Sequence, residues 1–332
     1  MKIGMQSDLL NFKQEQIKKS LISRISPWEL FSLLLLICLI MIFSSHHQQG
    51  LYQPWDFKQS YLPAGGGDYS NFFYAYWIMP VFWLLDKIPF PIAYTIWAVI
   101  NILATFFASR VFGGKSWLAI LSYQMIYIVF YGQITGLLLG GLALAWWGMA
   151  SKKLHLAGLG FLITAIKLQF GLPLGLVLWL FADLTWKERI SILFIPLLGV
   201  GITFLIYPGW IENIILAIQN GKVDRTGDIS LWRYIGPWSL IFFLLPLGFR
   251  FKPEKRMLLL ISAATFALPY LQHTVLLILY VFPFGWLSLL GNLGFLFPIF
   301  EWIIIRWLFL VPLSIYMITF VQYIFDVRQV KN

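Results

Sequence analysis

The stretch Trp28–Ser45, WELFSLLLLICLIMIFSS, decides the fold class of this chain. It contains a single charged residue, Glu29, and its length of about eighteen residues is enough for a helix to cross a bilayer. Similar apolar stretches recur along most of the 332 residues, of which 60% are hydrophobic and 11% charged, whereas soluble globular domains have about 25% charged residues. The apolar stretches lack the alternation of barrel strands. We therefore predict an all-α integral membrane protein that crosses the membrane several times.

The charges of the chain indicate its orientation in the membrane. The net charge is +10, but the basic residues occur in short groups between apolar stretches, where positive-inside topology puts them, and not on a soluble nucleic-acid-binding domain.

Cys38, the single cysteine, lies within the first apolar stretch. This excludes a disulfide within the chain and a cysteine metal site.

The domain organisation follows from these stretches. We predict a cytoplasmic amphipathic segment over 1–26, which precedes a membrane anchor and not a cleaved signal peptide. Residues 27–326 then form one transmembrane bundle of about ten to twelve membrane helices, with no soluble domain. Its external loops are 46–73 and 208–236, and 327–332 is a cytoplasmic tail. Both termini are thus expected in the cytoplasm of a multi-pass protein of the cell membrane.

The individual membrane segments have different lengths. Tyr74–Leu85 is too short to span and is predicted to be interfacial or re-entrant. Leu156–Asp183 has basic flanks at both ends, which predicts a hairpin of two shorter helices with Lys167 near its outer tip. The 292–325 tail is expected to hold one long helix and one shorter one. The predicted full spans are Pro91–Arg110, Trp117–Tyr131, Ile134–Ala150, Ile190–Tyr207, Pro237–Phe249, Met257–Leu271 and Val275–Leu290.

Polar residues from separate segments are predicted to meet at the outer face of this topology. Ionisable groups at membrane depth usually line a cavity or a pathway, so several of them in one leaflet indicate a site. The residues concerned are Asp56, Asp68, Gln133, Lys167, Gln169, Asp224, Arg225, Asp228, Arg233, Gln272 and His273.

The order of several motifs resembles glycosyltransferase family 87. The central one is GQITGLLLGGLALAWWGMASKKLHLAGLGFLITAIKLQFGLPLGL, with Gly132-Gln133, a basic loop at Lys152-Lys153, Ala157-Gly158 and then Lys167. The upstream stretch DFKQSYLPAGGGDYSNFFYAYWIMP and the downstream DISLWR and PYLQHTVLLILYVFP also resemble family elements. Thr135 and Phe170 stand where that family commonly has Asn and Pro. The resemblance covers roughly residues 28–290.

The resemblance implies a C-type glycosyltransferase fold and an enzyme that needs no cofactor. Such an enzyme takes its sugar, for which the family suggests mannose, from a polyprenyl-phosphate donor and transfers it with inversion at the extracellular or periplasmic face. The acceptor is a glycolipid or polysaccharide hydroxyl, and the other partners are membrane lipids and no nucleic acid. The family's catalytic carboxylate falls on Asp56.

The chemistry of such a transfer assigns further candidates. One carboxylate suffices as general base for the acceptor hydroxyl, and the phosphate leaving group needs positive charge and hydrogen-bond donors. The candidate phosphate ligands are Lys167, His273 and Arg233. The candidate substrate-binding residues are Gln133, Asp68, Tyr61 and Gln169. No metal site is predicted, with a cation shared by Asp56 and Asp68 as the alternative.

Each candidate also has a purely structural interpretation. Asp56 and Asp68 would then be turn or N-cap residues, Lys167 a snorkelling side chain and Arg233 a contact to lipid headgroups. Gln133 and His273 would hydrogen-bond or pack within the bundle. For the whole chain, the alternatives to an enzyme are a transporter or flippase of lipid-linked sugars and a structural membrane subunit.

Overall fold

The computed structural model describes residues 25–47, 54–219, 227–249, 251–296 and 307–329. Within these ranges every regular element is helical, and the one extended pairing is an isolated antiparallel bridge between Asp228 and Gln272. The all-α prediction is therefore confirmed for this part of the chain. Most of the predicted amphipathic segment 1–26, the end of the 327–332 tail, and Asp224 and Arg225 lie outside the described residues.

The helices before the second external loop include both long and short ones. In chain order they are α1 Pro27–His47, α2 Met79–Asp86, α3 Phe90–Phe112, α4 Ser116–Leu121, α5 Tyr123–Tyr131, α6 Thr135–Ala150, α7 Leu154–Thr164, α8 Leu168–Phe181 and α9 Trp186–Ile206.

The later helices are shorter and are interrupted by 3₁₀ turns. They are α10 Trp210–Gln219, α11 Ile241–Gly248, α12 Pro253–Ala264 and α13 Leu310–Gln329. Between them lie the single turns Trp232–Ile235 and Ile278–Val281 and the 3₁₀ stretches Gly236–Leu240, His273–Leu277 and Gly285–Leu296.

Several helices are long and apolar enough to cross a membrane. They are α1, α3 and α9, and the pair α5 and α6, bent by 115° at its break, makes a fourth if counted as one span. Helix α9 buries only 11% of its apolar window inside the protein, so most of its side chains are left for lipid. Helices α7, α8 and α13 and the stretch Gly285–Leu296 supply shorter apolar segments. Membrane association follows, while the count of ten to twelve spans stays a prediction.

Two of the predicted spans are wrong as continuous helices. Trp117–Tyr131 is divided at Ser122, whose extended backbone ends α4 and whose Oγ accepts from Met125 N at 3.1 Å to cap α5. Val275–Leu290 is divided at Phe282, which is extended because the following Pro283 disfavours a helical conformation there.

Two other late spans are shorter than predicted. Met257–Leu271 is helical only as far as Ala264, and Pro237–Phe249 begins with a 3₁₀ turn before α11. The full spans Pro91–Arg110, Ile134–Ala150 and Ile190–Tyr207 correspond to α3, α6 and α9 within a few residues.

The predicted hairpin over Leu156–Asp183 is confirmed as helices α7 and α8. Helix α7 packs closely on α6, because a Cβ added at Gly160 would lie 2.2 Å from Ala145 N. At the tip, a Cβ added at Gly171 would lie 1.7 Å from Thr164 O. A Cβ added at Gly141 of α6 would lie 2.9 Å from Thr164 N, so the end of α7, which leads to Lys167, packs on the first half of α6.

The loop 208–236 contains structure that the sequence did not suggest. Residues Trp210–Gln219 form helix α10, and Trp210 is buried against Tyr76 and Phe204, with ring centroids 6.0 and 5.6 Å apart. The loop 208–236 is thereby packed on the segment that follows the loop 46–73.

Helices α1 and α3 are joined by a buried ion pair. Arg110 Nη1 lies 3.0 Å from Glu29 Oε1. The Glu29 carboxylate also accepts from Ser26 N at 2.7 Å, while Ser26 Oγ accepts from Glu29 N at 3.2 Å. This reciprocal capping box starts α1 and gives the carboxylate a hydrogen bond in addition to those from Arg110 and Ser116.

Candidate functional site

Asp56 stands at the start of a well-packed turn in the loop that was predicted to be the first external one. It precedes a π-helical turn, Phe57–Tyr61, a type of turn that is frequent at functional sites. Phe57 stacks on Trp97 at 6.1 Å and Tyr61 stacks on Phe82 at 4.9 Å, and both side chains are fully buried. The half-buried carboxylate of Asp56 is therefore held in place by packing of the residues that follow it.

Gln133 reaches Asp56 from the break between α5 and α6. Gln133 Nε2 donates to Asp56 Oδ2. The break requires Gly132, whose φ of +71° is in the left-handed region and whose added Cβ would lie 2.5 Å from Phe57 Cβ. Trp97 Nε1 donates to Gly132 O at 2.8 Å. The break thus fits closely against the residue next to Asp56 and points Gln133 at the carboxylate.

The first turn of α6 is capped by a side chain from another helix. Asn101 Oδ1, on α3, accepts from Leu137 N at 2.9 Å. A Cβ added at Gly136 would lie 2.6 Å from Asn101 O, so the two helices touch where α6 begins. This contact fixes the position of the helix end that carries Gln133.

Lys167 lies in the connection between α7 and α8, as predicted, and is buried. Its Nζ donates to Gln272 Oε1 at 3.1 Å. The preceding Ile166 O accepts from Ala75 N at 2.9 Å, and Leu162 O accepts from Trp77 Nε1 at 2.8 Å. The hairpin tip is therefore attached to the segment that follows the first external loop.

Asp228 fixes the backbone before His273. Its Oδ1 accepts from Leu271 N at 3.0 Å and from Ser230 N at 2.9 Å, and Ile229 N donates to Leu271 O at 2.7 Å. The neighbouring Tyr270 has a φ of +52°, which is uncommon for a residue other than glycine and often marks a site. Asp228 was predicted to lie at the outer face, without a role. The feature of the sequence that could have indicated a role is its position in the DISLWR motif.

His273 is buried between tyrosine rings. Its ring centroid is 4.1 Å from that of Tyr127, edge to face, and 5.5 Å from that of Tyr123. Neither ring nitrogen has a hydrogen-bond partner among the described residues, and the same is true of Gln133 Oε1. Buried polar atoms are usually paired, so these three are exceptions that need an explanation.

The electrostatics of the site centre on Asp56. Burial raises the pKa of Asp56 to about 6, and the charge of Lys167 and the hydrogen bond from Gln133 offset only part of that rise. Burial lowers the pKa of Lys167 to about 8, with the charge of Asp56 opposing the shift. A carboxylate with a pKa near the working pH has the property that a general base needs.

The structure does not bring all the candidates together. Asp68 is exposed, and its Oδ1 accepts from Ser70 N at 3.0 Å, which is the turn that the structural interpretation expected. Arg233 is exposed on the turn Trp232–Ile235. Tyr61 lies in the aromatic packing beside Asp56, within range of its charge. Gln169 is half-buried, and no contact places it in the cluster.

The side chains of the site can be assessed as ligands for a metal ion. Among the residues that the structure describes, no group of three or more His, Cys, Asp or Glu side chains is arranged to hold a metal ion. The exposed turn of Asp68 does not bring it to Asp56 in any contact of the described residues, so a cation shared by the two gains no support.

The site therefore combines residues from four separate parts of the chain. Asp56 comes from the first loop, Gln133 from the break before α6, Lys167 from the hairpin tip, and Gln272 and His273 from the turn after α12. Comparison with known proteins finds no matching family model, no similar curated protein and no similar solved structure.

Proposed function

We propose that this chain is a membrane glycosyltransferase. It moves a sugar from a polyprenyl-phosphate donor to a hydroxyl of a glycolipid or polysaccharide, at the outer leaflet and with inversion. The single observation that carries the proposal is the half-buried Asp56, hydrogen-bonded by Gln133 and within electrostatic range of the buried Lys167. Mannose as the sugar, and membership of glycosyltransferase family 87, come from the motif resemblance.

The proposed reaction is a single displacement. Asp56 removes the proton of the acceptor hydroxyl, and the acceptor oxygen forms a bond to the anomeric carbon from the face opposite the phosphate. The bond from that carbon to the phosphate oxygen breaks, and its electron pair leaves with the polyprenyl phosphate. Lys167 stabilises the charge that develops on this leaving oxygen, so no acid is needed to protonate it.

The arrangement of the two charged groups supports this division of roles. Asp56 and Lys167 interact electrostatically, yet the ion pairs of the described residues include none between them within 4.0 Å. Each is instead hydrogen-bonded to a neutral amide, Gln133 and Gln272 respectively. A base and a cation that do not neutralise each other remain available for a substrate.

One observation favours a second candidate function, a transporter or flippase of lipid-linked sugars. Transporter sites are typically built at broken helices, and the break between α5 and α6 carries Gln133. Against it, transporters generally have two such breaks in related halves, and the described residues contain one bent pair that passes the same test. The proposed orientation, with both termini in the cytoplasm and the site outside, applies to either function.

The decisive experiment is a transfer assay in membranes that contain the full chain. Labelled mannose on polyprenyl phosphate is supplied to wild type, Asp56→Asn and the matched control Asp86→Asn, which changes an exposed carboxylate outside the site. We expect Asp56→Asn to lose at least about 10²-fold in rate, since general-base catalysis contributes about 10²–10⁴-fold. Asp86→Asn should match wild type at equal expression.

Each other result of this assay has a defined meaning. Equal activity in all three chains would remove Asp56 as the base. No transfer by any of them, together with movement of the labelled lipid between leaflets, would favour the transporter.

A further inference from the structure

Three polar atoms of Gln133 and His273 are buried without a hydrogen-bond partner among the described residues, and Tyr61 Oη, in the aromatic packing beside Asp56, is a further such atom. The first three are Gln133 Oε1 and both ring nitrogens of His273. The side chains are 3% and 4% exposed, so water outside the protein does not satisfy these atoms. Leaving a buried donor or acceptor unpaired costs about 1–3 kcal/mol. Three such atoms at one place point to a polar ligand that pairs with them.

The three atoms belong to neighbouring segments. Thr135, two residues after Gln133, donates from its Oγ1 to Oγ1 of Thr274, the residue after His273, at 3.2 Å. The residue before His273 is Gln272, the partner of Lys167. The Tyr127 ring, against His273, adds an apolar wall and lies within range of the Asp56 charge. One ligand that reaches Asp56 is therefore close to all of these groups.

The hydrogen-bonding capacity of Gln133 constrains the chemistry of this ligand. The amide NH₂ of Gln133 faces the Asp56 carboxylate, which accepts its hydrogen bond, so the unpaired atom is the carbonyl oxygen. A carbonyl oxygen only accepts hydrogen bonds and therefore needs a donor.

His273 sets a second constraint. Burial, together with the nearby charge of Lys167, lowers the pKa of His273, so its imidazole is neutral at pH 7. A neutral imidazole presents one donor and one acceptor. An ionised phosphate diester has acceptors and no hydrogen to donate. It suits the ammonium of Lys167, but it cannot satisfy Gln133 Oε1 or the acceptor nitrogen of His273.

We propose that Gln133 and His273 form a subsite for the hydroxyl groups of a sugar ring, with the Tyr127 ring as its apolar wall. A hydroxyl both donates and accepts, so it satisfies all three unpaired atoms. Lys167 then faces the phosphate side. The identification of this sugar as the one carried by a polyprenyl phosphate rests on the proposed function. The inference that the ligand carries hydroxyl groups rests only on the unpaired atoms. His273 is thereby a sugar ligand, where the sequence predicted a phosphate ligand.

The test measures binding to the purified full chain with two lipids that differ only in the sugar. They are polyprenyl phosphate and polyprenyl-phosphate-mannose, offered to wild type, His273→Phe and the control His155→Phe, which changes an exposed histidine at the start of α7. We expect His273→Phe to weaken binding of the sugar-bearing lipid about tenfold, as for one buried hydrogen-bonded group. Binding of the sugar-free lipid should stay at the wild-type value.

Thermal unfolding without ligand is the second measurement on the same variants. Because both ring nitrogens are unpaired in the free protein, His273→Phe removes buried polar atoms that have no partner, and the melting temperature should not fall. A histidine that only packs the bundle would give a different pattern, namely a lower melting temperature and an unchanged preference for the sugar-bearing lipid. That pattern would overturn the proposal.

Other outcomes separate this subsite from the proposed function. If His273→Phe weakens the binding of both lipids equally, His273 is a phosphate ligand and the subsite is wrong, whether or not transfer occurs.

Free methyl mannoside, glucoside and galactoside, at high concentration, supply a probe without phosphate. If transfer fails but one of them stabilises wild type and not His273→Phe, the subsite stands and the glycosyltransferase does not. Binding of neither lipid and of no glycoside to wild type overturns both.

Discussion

Two buried pairs of opposite charge in this protein are arranged in different ways. Arg110 contacts Glu29 directly at 3.0 Å, and Ser26 donates a further hydrogen bond to that carboxylate. Asp56 and Lys167 are each bonded to an amide, and unpaired polar atoms lie beside them. The first arrangement satisfies its charges within the protein and joins α1 to α3. The second keeps its charges available, which is what a site for a polar ligand requires.

The largest expected effect on stability comes from breaking the Glu29–Arg110 pair. Arg110→Met leaves the Glu29 carboxylate buried with no cation, and removing one partner of a buried pair costs about 3–5 kcal/mol. We expect the free energy of unfolding, measured by denaturant titration in detergent, to fall by that amount. The double variant Glu29→Leu with Arg110→Met should recover most of it. A loss below about 1 kcal/mol would show that the comparison overstates the role of this pair.

Substitution of Lys167 is expected to have a large effect on activity and a small effect on stability, the reverse of Arg110. Lys167→Met removes the cation that, in the proposed transfer, stabilises the leaving phosphate, and loss of one such group typically lowers the rate about 10²–10³-fold. Stability should change little, because no ion pair is broken. The variant loses the hydrogen bond to Gln272, but it also loses the cost of burying the ammonium group, and the two changes offset each other. Lys153→Met, at an exposed lysine, is the matched control. Large destabilisation with intact transfer would make Lys167 a structural residue like Arg110.

The pH dependence of the proposed transfer gives a smaller effect with a defined sign. The base acts when it is ionised, and the pKa of Asp56 is raised to about 6. We therefore expect kcat/KM of wild type to be highest between about pH 6 and pH 8. It should fall about tenfold per pH unit below this range as Asp56 is protonated, and fall again above it as Lys167, whose pKa is about 8, loses its charge. A profile that stays flat down to pH 4.5 would contradict Asp56 as the base.

Stability should change with pH in the opposite direction. The folded-state pKa of Asp56 lies above its ordinary value, so the folded protein binds this proton more tightly than the unfolded chain. The group's contribution to stability is thus greatest at low pH and decreases as pH rises through about 6. Between pH 5 and pH 7 the decrease should be about 1 kcal/mol in wild type, relative to Asp56→Asn.

The sequence predicted the parts of the fold that depend on local pattern and charge. The basic flanks of the 156–183 region predicted a hairpin, and α7 and α8 form it. The helices α1, α3, α6 and α9 were visible as long apolar stretches. The contact between Asp56 and Gln133 was not visible from periodicity or spacing, because the residues are far apart in the chain; the predicted topology put both at one face, and the motif resemblance assigned both to one site.

The errors in the sequence analysis have local physical causes. Ser122 interrupts one apolar run by capping a new helix, although its neighbours are as apolar as those of a continuous span. Helix α10 is amphipathic and lies in a loop with polar residues, so hydropathy alone did not separate it. Asp228 accepts a hydrogen bond from a backbone amide of a distant turn; the DISLWR motif singled out its segment, but it did not indicate this contact.

The sequence separation of the hydrogen-bonded residues indicates at which stage of folding the site forms. Gln133 lies 77 residues from Asp56 along the chain, and Gln272 lies 105 residues from Lys167. Contacts at such separations form only after the intervening helices have associated, since their closure entropy must be met first. A chain released or halted before residue 271 holds the base but lacks the partner of Lys167. We therefore expect chains that end before residue 271 to be inactive in the proposed transfer, although they contain Asp56, Gln133 and Lys167.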